Sequence, residues 1–440
     1  MHPVDNPGMH TLDQLRSGAL AGAKRLDLSG GLTRLPDEVF DLADTLEVLN
    51  LSGNRLTDLP PHMGRLRKLK IVFGSNNLFE HLPESLGECE ALQVVGFKAT
   101  RIRSVSAAAL PPALRWLILT DNALEHLPDA LGERPALQKL MLAGNRLRAL
   151  PEGLANANRL ELLRLSANRF ERLPGWLTQL PRLAWLALSG NPLGWQLAQA
   201  EPLQGVSWSE LGVFERLGEG ASGHIYRVEL ENGQSRALKL FKGAVTSDGL
   251  PEHEIAGSLA AGPHPALCTP VAELQGHPEG TPGMLLPLIP STHTVLAGPP
   301  SMVSCTRDVY AAGFQLSATL ALALARQVVG GLAHLHARGV MHGDFYAHNI
   351  LWNADSGDAL LSDMGAATVL PASPPTLRRD FLSLEVRAVG CLLEELVQHV
   401  PVDDSDATSL RLLSQAAEAC LSLDPAVRPA LADLVQPWGV

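Results

Sequence analysis

The sequence predicts two architectures in series: an α/β solenoid of short stacked repeats, then an α+β domain. Three observations carry this. The stretch LEVLNLSGNRLTDLP (46–60) recurs as LQKLMLAGNRLRALP (137–151) and LELLRLSANRFERLP (160–174). The leucine periodicity stops after Pro192. Beyond it come strand-like runs around three glycines and an apolar helix from Ala318 to Leu335. With 440 residues, 46% of them hydrophobic and 18% charged, the chain has material for two or three domains with real cores.

In the first half the same register gives LAWLALSGNPL (183–193) and the looser LRWLILTDNALEHLP (114–128). Leu49, Val72, Val95, Leu117, Leu140, Leu163 and Leu186 follow one another at 22- or 23-residue steps. Asn54, Asn77, Asn122, Asn145, Asn168 and Asn191 hold one place in the period, with Thr100 filling the gap. Each Leu-x-Leu reads as a short strand with its leucines pointing inward, and each Asn satisfies backbone groups where the chain turns. One unit cannot bury its own leucines, so neighbours must stack. An amphipathic helical array is the rival, but a regular Asn and Pro within each period oppose it. The pattern resembles leucine-rich repeats, roughly eight units over residues 23–198. Residues 1–22 read as a lead segment and 199–210 as a linker.

Residues flanking the strand leucines face the opposite, concave side, because strand neighbours alternate. Trp116 and Trp185 fall in one column, with Phe73, Ile118 and Met141 in the next. The core does not need these side chains, so they are expected to be exposed and to receive a protein partner or substrate.

In the second half, Gly218, Gly220 and Gly223 form a G-x-G-x-x-G in FERLGEGASGHIYRVELENGQSRALKLFK. Alone this is weak. A dinucleotide site would need a helix directly after the glycines, whereas HIYRVEL reads as a strand and Asn232-Gly233 as a hairpin turn. Ala237 and Lys239 lie on one face of the next strand. Further on come HLHARGVMHGD, then Asn349, then DALLSDMGAA, LEVRAVGCLLEELV and LDPAVRP. In this order the motifs are similar to those of protein kinases across residues 211–436, and the domain is taken as 211–440.

The resemblance implies a bilobal kinase-like fold using ATP and Mg²⁺. It implies that the glycines cover the nucleotide, that Ile225, Ala237 and Leu351 contact adenine, and that Lys239 grips the α- and β-phosphates. Glu254 would place Lys239, with Glu252 as the runner-up. Asp344 would orient the acceptor hydroxyl, and Asn349 and Asp363 would hold the metal.

The match also breaks in places. Gly343 replaces the family's Arg, which pairs with an activation-loop phosphate. Tyr346 stands where Ser/Thr kinases carry a Lys, and His348, expected to be a packing residue, where tyrosine kinases carry an Arg. Glu385, aligned with an Asp of the family's αF helix, follows Asp363 by only 22 positions, with no Ala-Pro-Glu between. Much of the platform for a protein substrate is thereby lost.

The expected function is an ATP- and Mg²⁺-dependent protein kinase, Ser/Thr-directed, with repeats that dock a partner. The alternatives are a nucleotide-binding pseudokinase scaffold and a small-molecule phosphotransferase, the latter suggested by the His-Gly-Asp spelling. A net charge of -11 excludes a basic field for nucleic acid or anionic lipid. Five scattered cysteines without ligand spacing read as reduced core thiols. The N-terminus shows no signal segment and the apolar run is read as a buried helix, so a soluble, cytoplasmic protein is expected.

Overall fold

The computed structural model describes residues 9–195, 202–220, 222–242, 245–246 and 248–438. The lead segment's first eight residues and positions 199–201 of the expected linker lie outside them. The chain divides into two compact units, 1–180 with 191–193, and 181–190 with 194–440.

The first unit opens with helix α1 (Leu12–Arg16), closed by a capping box between Thr11 and Gln14. Seven three-residue strands follow: β1 (Arg25–Asp27), β2 (Val48–Asn50), β3 (Ile71–Phe73), β4 (Val94–Gly96), β5 (Trp116–Ile118), β6 (Lys139–Met141) and β7 (Leu162–Arg164). They pair in parallel, each with the next, so that Leu26, Leu49, Val72, Val95, Leu117, Leu140 and Leu163 form one continuous row. All seven are completely buried.

The Asn row closes each turn. Asn145 Nδ2 donates to the carbonyls of Leu119 and Leu142 at 2.8 and 2.9 Å, and its Oδ1 accepts the Leu124 N–H at 3.0 Å. Asn54, Asn77 and Asn168 repeat the arrangement. The return segments are 3₁₀ turns of three to six residues, and those from Asp37, Glu84, Asp129, Glu152 and Gly175 start directly after a proline. A repeat of 22 or 23 residues leaves no length for more helix. At Gly132 a β-carbon would lie 1.8 Å from the Gly153 carbonyl oxygen, so neighbouring turns meet there backbone to backbone.

The second unit includes β8 (Trp185–Ala187), which carries the last Leu-x-Leu pattern. Its main sheet comprises β9 (Gly205–Ser207), β10 (Leu211–Glu219), β11 (Gly223–Leu230), β12 (Ser235–Phe241), β13 (Ala272–Gln275) and β14 (Gly283–Pro287). The order is β10-β11-β12-β14-β13-β9. Helix α2 (Pro251–Ala261) comes between β12 and β13, and β15 (Thr294–Val295) leads to the helical half. There lie α3 (Ala318–Ala337), β16 (Val340–Met341), β17 (Ile350–Trp352), β18 (Ala359–Leu361), β19 (Thr368–Val369), α4 (Pro375–Gln398), α5 (Ala407–Cys420) and α6 (Leu431–Val435). Helix α3 buries Ala321, Leu324, Ala325, Val328, Val329, Leu332 and Leu335, which makes it the apolar core helix.

Two features lie across the expected boundaries. Residues 181–190 belong to the second unit, although the repeat pattern runs through them. The expected linker holds β9, which pairs in parallel with β13, and a 3₁₀ turn over Trp208–Glu210 capped by Ser207. A three-residue strand leaves too short a trace in sequence to be seen.

Candidate active site

The β10–β11 hairpin carries the three glycines. Gly220 N–H donates to Gly223 O at 2.9 Å, and a β-carbon on Gly223 would lie 2.4 Å from the Leu240 carbonyl oxygen, which only glycine tolerates. Around Gly218 and Gly220 a β-carbon would meet no described atom within 4 Å. In the β11–β12–β14 register Ile225 opposes Lys239, which opposes Met284, while Ala237 opposes Leu286. Cross-strand partners share a face, so Ile225, Ala237 and Lys239 lie on one side of the sheet. Leu351 is half-buried on β17, opposite Leu360.

Lys239 Nζ hydrogen-bonds Glu254 Oε1, and both side chains are buried. Glu252, the runner-up, is exposed. Lys239 Nζ also lies 4.0 Å from Asp363 Oδ1. Burial works against the ammonium, but the Asp363 and Glu254 carboxylates outweigh it and raise the Lys239 pKa. Burial pushes Glu254 up to about 7 against the pull of Lys239. Asp363 sits at φ 59°, a left-handed conformation costly for a residue with a β-carbon, and its own Oδ1 accepts the Gly365 N–H at 3.1 Å.

The stretch MHGDFYAHNI lies between β16 and β17 and is anchored from below. Glu385 of α4 accepts the N–H groups of His342 at 3.1 Å and Gly343 at 2.6 Å, and His336 Nε2 at 2.8 Å. Burial opposes the Glu385 charge, yet the His336 hydrogen bond and the nearby histidines hold its pKa below the usual carboxylate range. His342 Nε2 lies 3.1 Å from the Ser362 carbonyl, tying the loop to the segment that delivers Asp363. Asn349 Nδ2 donates to the backbone oxygen of Asp344 at 2.8 Å and to its Oδ2 at 2.9 Å. The amide oxygen of Asn349 is thus the atom left to act as a ligand.

Asn349 and Asp363 together offer hard oxygen donors. Among the described residues no group of three or more His, Cys, Asp or Glu is placed to hold a metal. That donor set fits Mg²⁺, which is held by one or two protein oxygens along with phosphate oxygens and water.

The two tryptophans are a correction, since neither is exposed. Trp116 is 7% exposed, its ring covered by Lys139 Nζ at 4.2 Å from the centroid and its indole N–H directed at Met141 Sδ at 3.3 Å. Trp185 is 2% exposed. Its Nε1–H donates to the Phe345 carbonyl at 2.9 Å, and its ring stacks on Tyr346 with centroids 4.3 Å apart and planes 5° apart. Alternation along the strands was read correctly, but what covers Trp185 comes from residues 160 positions later. Phe73, Ile118 and Met141 are half-buried.

His348 is also more than a packing residue. Its Nδ1 lies 2.7 Å from Asp308 Oδ1, its N–H donates to Asp308 Oδ2 at 3.0 Å, and its Nε2 lies 4.0 Å from Asp344 Oδ2. Burial opposes the imidazolium, but the hydrogen bond and charge of Asp308 win and raise its pKa. Sequence reasoning missed Asp308, His336 and the inward role of Trp185. Asp308 and His336 sit in stretches with no motif, and only the pairing of an aromatic at 346 with one on the last repeat strand hinted at Trp185.

A protein kinase domain model matches residues 211–410. Leucine rich repeat models match residues 135–193 and 45–66. Kinase suppressor of Ras 2 from Homo sapiens is 20% identical over 216 residues, covering 46% of this chain and 20% of that protein. Cyclin-dependent kinase B2-1 of Arabidopsis thaliana is 24% identical over 235 residues, covering 47% of this chain and 72% of that protein. A probable serine/threonine-protein kinase, WNK8, of Oryza sativa subsp. japonica is 31% identical over 100 residues, 19% of this chain and 16% of that protein. The matched region spans about a fifth of the length of the human and mouse Ras-suppressor relatives.

Proposed function

We propose that this chain, leucine-rich repeats followed by a protein kinase domain, transfers the γ-phosphate of ATP to a serine or threonine hydroxyl. The observation that carries this reading is the meeting of Lys239, Glu254 and Asp363, with the Asp344–Asn349 pair on the loop anchored by Glu385. Lys239, kept charged and aimed by Glu254, would bind phosphate oxygens, and Ile225, Ala237 and Leu351 would receive the base. Asn349 and Asp363 would hold Mg²⁺, which when bound would neutralise charge on the phosphates. Asp344, fixed by both Asn349 N–H bonds, orients the acceptor hydroxyl and takes its proton. Positioning and charge neutralisation supply the catalysis, and no covalent intermediate on the protein is needed. His348, held against Asp308, adds positive charge beside Asp344 where the Lys of Ser/Thr kinases is missing.

The serine or threonine assignment draws support from the names of the rice and Arabidopsis relatives. The remaining concave residues Phe73, Ile118 and Met141 are proposed as the partner surface of the repeats. Five free thiols accord with a reducing cytoplasm. A small-molecule acceptor is the second reading, favoured by the short run from Asp363 to α4, which begins at Pro375.

Transfer of radiolabelled γ-phosphate to generic proteins tests this. Asp344→Asn should abolish labelling and leave Mg·ATP affinity within about twofold, because the base touches the acceptor only. Asp363→Ala should abolish labelling and also weaken Mg·ATP binding. Wild-type labelling by both variants would refute the kinase reading, and tight Mg·ATP binding without transfer by the parent would mark a nucleotide-binding scaffold.

A further inference from the structure

Residues 181–190 touch three segments of the proposed site: the loop carrying Asp344, the segment after Asp363, and α2. Trp185 donates to the Phe345 carbonyl and stacks on Tyr346, the two residues after Asp344. The Leu186 carbonyl oxygen lies so near Gly343 that a β-carbon there would approach it to 2.7 Å, and would approach Ala366 O to 2.6 Å. Leu188 N–H donates to Thr368 Oγ1 at 3.2 Å, just past Asp363. Gly190, at φ 76°, lies against His253 of α2, one residue before Glu254, and a β-carbon on it would come within 2.0 Å of the imidazole. At the other end of the segment Arg428 Nη2 donates to Pro181 O at 2.8 Å.

These contacts fall where the chain is short of its own material. Between Asp363 and α4 there is only β19 and a turn, and Gly343 leaves no guanidinium to order that region through a phosphate. We propose that residues 181–190 stand in for the missing activation segment, with Trp185 as the positioning residue that holds the loop carrying Asp344. The inference rests on the kinase reading for its effect on rate, but its structural claim is independent of that reading.

Trp185 is not among the residues proposed to touch the acceptor or ATP. It fixes the backbone at Phe345 and the ring of Tyr346, so that Asp344 keeps its place between Asn349 and the acceptor. Because Leu188 and Gly190 lie on the same short segment, the Asp363 region and α2 are held together with the loop. Proximity effects are steep enough that a small displacement of Asp344 lowers turnover strongly.

The test uses the full chain with two readouts, hydrogen exchange over residues 341–350 and steady-state kinetics. Trp185→Ala should raise exchange at 341–350 by about tenfold or more while exchange in residues 48–164 stays at the parent level. It should lower kcat by about tenfold or more with KM for ATP within about twofold. Trp185→Phe, which keeps the stack and loses the indole N–H, should recover much of both. Thr368→Val, close to isosteric, should loosen 364–370 by removing the acceptor for Leu188. If Trp185→Ala does not fold, Thr368→Val decides: parent-level exchange over 364–370 in that variant overturns the proposal. Parent-level exchange and kcat in a folded Trp185→Ala overturn it as well. A parent that never transfers phosphate refutes the kinase reading alone, because exchange still decides whether the segment holds the loop.

Discussion

Gly343 is fixed by shape at a position where the family's charged side chain is absent. The sequence reads it as an Arg that has been lost. At φ 76°, with the Ala366 and Leu186 carbonyl oxygens in the space a β-carbon would need, it is a position where any side chain is strained. A second residue-scale case is Glu395, half-buried beside Asp308 and bonded by Arg307 Nη1 at 3.3 Å and Tyr310 OH at 3.2 Å. Burial and the Asp308 charge push it up to about 7, against the pull of Arg307 and Tyr310. Its ordinary value is 4.5, so from there to about 7 the folded chain holds a proton that the unfolded chain has released. Stability therefore falls as pH rises through that window. Glu395→Gln should match the parent near about pH 5 and exceed it by on the order of 1–3 kcal/mol near about pH 8. Urea unfolding of both proteins at the two pH values checks this, and a gap that does not grow with pH contradicts it.

At the scale of elements, the Asn row was the most legible feature of the chain, because each Asn meets a local need set by the turn. Asn145 serves three backbone groups at once, and Asn145→Ala would strip the buried Leu124 N–H of its acceptor and leave the Leu119 and Leu142 carbonyls with one amide donor each, from Asn122 and Asn168. A loss of about 2–3 kcal/mol is expected, read as a lower urea midpoint for the first unit. Asp121→Ala, at an exposed left-handed position on the next turn, should cost less. The Lys239–Glu254 pairing was legible for a similar reason, since a buried ammonium needs a carboxylate and α2 offers few. Strand β9 was not legible in its place. It is three residues long, and its partner is set by a tertiary contact, not by its own pattern. His348 was misjudged because its partner, Asp308, lies 40 positions away in an irregular stretch.

For the whole molecule, the arrangement of 181–190 makes a prediction about regulation. Thr368 is 3% exposed and accepts a hydrogen bond from Leu188, so no modifying enzyme reaches it in the folded chain. With Gly343 at the usual phosphate receptor, activity should not depend on prior phosphorylation. Phosphatase treatment followed by an initial-rate assay should change the rate by less than about twofold, whereas phosphate-dependent kinases change far more. A large drop that recovers on self-labelling would contradict this.

Arg428, in the closing LDPAVRP motif, donates to Pro181 O, to Ser383 O at 2.9 Å and to Ser422 O at 3.0 Å. One guanidinium thus ties the tail of the chain to a segment that reads, by its spelling, as the end of a different module. Recombination that exchanged one set of repeats for another at the apparent seam near 199 would deliver a foreign strand in place of 181–190. The new strand would have to bring its own tryptophan, its own left-handed glycine and a carbonyl for Arg428. The compact unit that holds the kinase domain therefore includes residues 181–190, and an exchange of repeats that preserves it should keep that last one in place.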